Sequence, residues 1–214
     1  MRMTRVLAWI VASTAMAMVT MGDARAEVIE HLTVRGHSAL VSFDELTPHT
    51  CADGTEGTLE TFVSISGFAN VTRSLQMPDT DTNTVVAVAS RSDSCTGNFV
   101  VGSATLDNAF RQTALQSATI RRTFRLADVS GNPVMTLVVN LTLEGTGPTN
   151  HTFFHDRFVI DGPDGPIVTF EHSVGRNRDV TVAGSVKLDG DEVIDTFTTG
   201  ALQEIRSGTV EIQR

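Results

Sequence analysis

Tyrosine is absent from the chain, and the single tryptophan, Trp9, stands close to its start. The other aromatic residues are eleven phenylalanines. Tyrosine and tryptophan join a flat apolar ring to a hydrogen-bonding tip, which is why binding surfaces favour them. Their lack counts against a sugar-stacking platform. It also counts against an outer-membrane barrel, whose lipid interfaces are ringed by such residues. Lysine is nearly missing too, Lys187 being the only one, and the formal charge is −9 at pH 7 with no run of basic residues. Phosphate backbones and anionic headgroups repel such a chain, so neither nucleic acid nor a membrane surface is an expected partner. The G-x-S-x-G elbow of hydrolases, the H-E-x-x-H of zinc peptidases and the G-x-x-x-x-G-K of nucleotide loops do not occur. No motif asks for a cofactor.

What is present begins with a leader. Arg2 and Arg5 precede an apolar or small-residue run from Val6 to Val19, and Ala24-Arg25-Ala26 supplies a small-x-small cleavage pattern. The run is short of the roughly 20 residues a spanning helix needs. Residues 1–26 therefore read as a secretory signal rather than an anchor. The mature product, 27–214, is expected to be one secreted or periplasmic domain with no membrane span. Removing three arginines and one aspartate with the leader leaves 13 basic and 24 acidic side chains, a formal charge of −11. In an oxidising compartment the only two cysteines, Cys51 and Cys95, are expected to pair as a disulfide.

Period-two alternation dominates the rest. Leu59, Thr61, Val63 and Ile65 share one face; so do Met135, Leu137, Val139, Leu141 and Leu143, and Val180, Val182, Val186 and Leu188. Such alternation marks antiparallel strands with one packed and one wet face. Gly, Pro, Asn and Asp clusters at 130–133, 161–166, 189–192 and 206–209 supply the reversals, with Asp189-Gly190 a hairpin signal. Only "LDNAFRQTALQ", 106–116, hints at a helical turn, and a polar loop holding Cys51 is expected between Thr47 and Thr58. The fold expected is an all-β, single-domain antiparallel β-sandwich of about nine or ten strands, Ig-like or jelly-roll in type. The segments "SCTGNFVVG", "VNLTLEGTGPT" and "HSVGRNRDVTVAGSV" together resemble a loose group of secreted bacterial β-rich proteins without assigned activity, over a span from about Asp44 to the end. The resemblance implies a secreted β-rich domain and transfers no site.

The stretch that looks most like chemistry is "NHTFFHDRF", 150–158. As a strand it places His151 and His155 on one face about 13 Å apart, from about 3.3 Å per residue, too far to share an ion. Phe153, Arg157 and Val159 join that face, while Phe154, Asp156, Phe158 and Ile160 take the other. His172 falls on the following strand, where it could meet His155. His155 and His172 are thus the candidate zinc or acid–base pair, with Asp156 or Glu171 as an orienting group. Two acidic stretches are candidate calcium sites. Asp79, Asp81 and Asn83 alternate as an EF-hand loop begins, though Thr84 and Ser90 then break the pattern. Asp189, Asp191, Glu192 and Asp195 gather in a turn. His31, His37 and His49 are scattered and expected at the surface. The leading functional expectation is a structural or binding module without catalysis that meets an extracellular protein or ligand. The alternatives are a secreted hydrolase at His155, Asp156 and His172, and a calcium-stabilised adhesion module.

Overall fold

A computed structural model describes residues 26–162, 165–193 and 197–213. The expected leader, apart from Ala26, lies outside them, as do Asp195 and part of the 161–166 turn. Ten strands form one antiparallel sheet: β1 (Glu27–Thr50), β2 (Glu56–Arg73), β3 (Thr80–Asp93), β4 (Asn98–Asp107), β5 (Phe110–Thr113), β6 (Ser117–Ala127), β7 (Pro133–Gly162), β8 (Gly165–Leu188), β9 (Asp191–Glu192) and β10 (Phe197–Gln213). The order is β10-β1-β2-β3-β4-β6-β7-β8, and β8 pairs again with β10, so the sheet closes on itself. The all-β antiparallel architecture is the expected one. The opposite walls of the ring face each other across the core as the layers of a sandwich do. Most neighbours in space are neighbours in sequence, joined by hairpins; β10 closes the ring by settling between β1 and β8.

The alternation read from the sequence is what fills the ring. Val41 and Phe43, Val63 and Ile65, Val85, Ala87 and Ala89, Phe124 and Leu126, Leu137 to Leu143 at every second position, Val186, Leu188 and Leu202 are all buried. Each large apolar side chain so enclosed contributes about 1.5–3 kcal/mol. The residues between them point outward, and many are Ser, Thr, Asn or Arg (Ser42, Ser64, Thr123, Arg125, Asn140). The ring has one thin seam: β4 meets β6 through the single pair Ser103 and Ala127.

The expected helical turn at 106–116 is instead a small hairpin. The side-chain amide of Asn83 donates to the Phe110 carbonyl at 2.8 Å, and its oxygen accepts the Phe110 N–H at 3.0 Å, holding that backbone extended. Phe110 to Thr113 then pair with β6, and Asn108 and Ala114 turn the chain as single left-handed residues (φ 55° and 46°). The hairpin lies across one end of the ring. Phe110 is buried against Gly67, where any side chain would collide with its ring, and Gln112 donates to the Gln203 carbonyl at 3.1 Å.

β1, β10, β8 and β7 continue past this closed end as a platform, in the order β1-β10-β8-β7, flanked along β1 by the end of β2 as far as Arg73 and by the start of β3. A register shift in β7 between Thr146 and Asn150, with Gly147 at φ 68°, marks where β7 leaves the ring. Beyond it β7 pairs with β8 alone. At the other end of the ring lie the tight turns. The polar loop holding Cys51 is shorter than expected, because β1 runs on to Thr50 and β2 begins at Glu56. Asp189 and Gly190 (φ 53° and 96°) make the hairpin turn that their sequence announced.

Candidate functional site

Residues directly opposite on antiparallel strands share a face, so the register assembles the platform surface row by row. His151, Arg176, Glu204 and His37 form one row across the four strands; Phe153, Val174, Arg206 and Arg35 the next; His155, His172, Gly208 and Thr33 the third; Arg157, Phe170, Val210 and His31 the fourth. Side-chain contacts agree with this placement. Arg157 stands over the Phe170 ring at 5.5 Å, His151 and Phe153 stack with centroids 6.2 Å apart, and the His172 ring covers Gly208. On these four strands, four arginines and five of the six histidines of the chain therefore occupy one face.

The other face has the opposite sign. Asp156 stands across from Glu171, and Glu30 across from Glu211. Like charges directly opposite destabilise a sheet, as Arg35 against Arg206 also does on the basic face. A platform sorted in this way has its counter-charges to gain from outside.

One carboxylate sits inside the basic face. Glu204 is 4 % exposed, and its oxygens accept from Arg176 and from Arg206, the latter at 2.9 Å. Burial pushes its pKa up, but the hydrogen bonds from Arg176 and Arg206 outweigh that and hold the carboxyl below its ordinary value. The clasp fixes the arrangement of the first two rows. Beside it, His37 Nδ1 is buried without a hydrogen-bond partner.

At the opposite end of the molecule Cys51 and Cys95 form the expected disulfide, with Cα atoms 5.3 Å apart, linking the β1–β2 turn to the β3–β4 turn. Gly57 lies beneath both sulfurs, where a side chain would strike them. His49 Nε2 is 3.0 Å from Cys95 Sγ and 3.3 Å from Asp93 Oδ1. The Cys95 amide, with the Thr96 hydroxyl and His49 assisting, holds the Asp93 carboxyl below the usual range. A cleft of about 520 Å³ opens here, lined by Pro48, His49, Thr50, Glu56, Gly57, Thr58 and Ser94.

The structure brings some of the sequence candidates together. His155 and His172 face each other across β7 and β8, and Asp156 pairs with Glu171 on the reverse face, so the carboxylates are turned away from the imidazoles. His155, Asp156 and His172 are all exposed on the open sheet. Asp79 and Asp81 both bind Arg73, at 3.3 and 2.9 Å, while the Asn83 amide is committed to Phe110. Asp189 accepts the Thr136 N–H at 2.7 Å, and Asp191 lies 3.4 Å from Arg91. The sequence reading left out His31, His37, Arg35, Arg176, Arg206 and Glu204, which join the platform from distant segments, and His49, which joins the disulfide. The one local signal was parity: His31, Arg35 and His37 hold alternate positions in line with Ala39 and Val41. No family model, no curated protein and no solved structure matches this chain.

Proposed function

We propose that the protein is an exported binding module without catalysis, and that the basic face of its platform is the ligand surface, taking an acidic polysaccharide. The observation that carries this reading is the convergence of Arg35, Arg157, Arg176, Arg206 and five histidines on one face of an acidic chain, with Glu204 the only carboxylate in those rows on β1, β10, β8 and β7, and Asp79 and Asp81 at the margin already bound to Arg73. The surface is an open sheet at least four strands wide, which suits an extended polymer more than an enclosed small molecule. Recognition runs through charge and hydrogen bonds, because arginine forks suit carboxylates and sulfates; the lack of Tyr and Trp removes ring stacking, not this. The leader, the polar outward face of the ring and the disulfide support export.

Titration calorimetry with polygalacturonate, dextran sulfate and neutral dextran tests the reading. The two anionic polymers should bind, neutral dextran should not, and salt should weaken the interaction. Replacing Arg35 and Arg157 by alanine should lower affinity tenfold or more. Equal binding of neutral dextran, or an unchanged affinity in the double variant, overturns the assignment. A single-stranded oligonucleotide bound as tightly as the polysaccharides would replace it with unselective attraction of polyanions.

A further inference from the structure

The disulfide end of the ring carries a second arrangement, independent of the platform. Two neighbouring hairpins each present a ligand-type residue two positions before a cysteine: His49-x-Cys51 at the end of β1 and Asp93-x-Cys95 at the end of β3. In the turn after β3 the Cys95 N–H donates to Asp93 Oδ1 at 2.8 Å, which holds that pair together. Between the two pairs passes β2, and it does so with Gly57, the absent side chain that leaves room for both sulfurs. His49 Nε2, Cys51 Sγ and Cys95 Sγ all lie within 4.8 Å of one another. Asp93 Oδ1 stands 3.3 Å from the same imidazole nitrogen.

We propose that, once the disulfide is reduced, Cys51, Cys95 and His49 bind a zinc ion, with Asp93 supplying an oxygen for the fourth position. Zinc takes four tetrahedral ligands at about 2.3 Å for sulfur and about 2.0–2.1 Å for nitrogen or oxygen. Those bond lengths put two coordinated sulfurs about 3.8 Å apart, and coordinated nitrogen and oxygen about 3.4 Å apart. The 3.3 Å between His49 Nε2 and Asp93 Oδ1 already meets the second spacing, and the sulfurs reach the first by separating once their bond is broken. Two thiolates and one imidazole form a donor set that selects zinc over calcium or magnesium, which take hard oxygen ligands. The cleft beside His49 gives the ion a way in.

The exchange balances. A dithiol reductant attacks the Cys51–Cys95 bond through a mixed disulfide, leaves as its own cyclic disulfide, and delivers two electrons and two protons to the cysteines. The ion then displaces the two thiol protons to solvent. Oxidation by a small disulfide reverses the sequence and expels the ion. Staple and metal site are thus alternative states of one corner: covalent when oxidised, coordinated when reduced.

Cobalt serves as the probe, because tetrahedral thiolate coordination gives intense visible and sulfur-to-metal charge-transfer absorption. The full mature chain, reduced with dithiothreitol and desalted without oxygen, should take up one equivalent of cobalt with those bands, and zinc should displace it. The oxidised protein and a Cys51→Ser/Cys95→Ser variant should show none, and His49→Ala should weaken binding tenfold or more. If reduction loosens the fold, zinc should restore its circular dichroism. Absent bands in the reduced protein, identical bands in the double serine variant, an unaffected His49→Ala protein, or unfolding that zinc fails to reverse would each overturn the proposal.

Discussion

The ring and the platform are built from the same strands and the same alternation, yet they spend it differently. Inside the ring the inward positions are apolar and every wall finds another wall opposite: Val41, Ile65, Leu137 and Leu188 are completely shielded. On the platform the corresponding positions of the same strands become His37, Arg35, Arg176 and Arg206, and Phe153, Phe154 and Val159 stand 75, 54 and 54 % exposed. Cover is local there: Ser74 and Leu75 of the β2–β3 connection reach Glu30, and Val168, Thr169 and Glu204 are buried, but these phenylalanines and Val159 stay open. The difference teaches that the side-chain period specifies a face, and that only closure of the sheet decides whether the face is a core or a surface.

The sharpest way to break that comparison is to truncate one large side chain in each region. Phe124→Ala, in the ring, should cost about 3–5 kcal/mol of unfolding free energy, while Phe153→Ala, on the platform, should stay within about 0.5 kcal/mol. Urea denaturation of both variants measures this, and comparable losses would mean the platform is packed against something. Next in size is the staple. Replacing Cys51 and Cys95 by serine frees a closure spanning 44 residues, which the loop-entropy treatment values at about 4 kcal/mol at most; the fall should appear in thermal melts while platform ligand binding is retained.

A smaller effect separates the clasp from its surroundings. Glu204→Gln should cost about 2 kcal/mol, since it leaves Arg176 and Arg206 without their buried partner. Because the folded carboxyl is held below its unfolded value, its contribution is complete above the ordinary glutamate range and is lost as pH falls through the folded pKa. The stability difference between wild type and Glu204→Gln should therefore shrink below about pH 4.5. A difference that stays constant down to acid denaturation would remove the ion pairs from the account.

The ring was legible because burial obeys a period that the sequence states outright: Leu59 to Ile65, Met135 to Leu143 and Val180 to Leu188 read correctly as core faces. The disulfide was legible from the count of two cysteines together with the oxidising compartment that the sequence led one to expect. The hairpin at 106–116 was not, since what holds Phe110 extended is Asn83, a residue on another strand. The basic face was legible only in part. "NHTFFHDRF" announced itself through local spacing, and the pairing of His155 with His172 followed from the turn between them. The meeting of Arg35, Arg176 and Arg206 depends on β10 entering between β1 and β8, a long-range choice no local pattern encodes. His49 looked like an isolated surface residue for the same reason: its neighbours Asp93 and Cys95 arrive from a different hairpin.

The passage of β1, β8 and β10 from the ring into the platform has a mechanical consequence. No linker intervenes, so the platform has no swivel. A polymer tugging on its outer end would load three ladders in shear along their length, many rungs resisting together, instead of peeling one rung at a time. Load applied at the outer end would thus reach the ring without distorting the platform on the way.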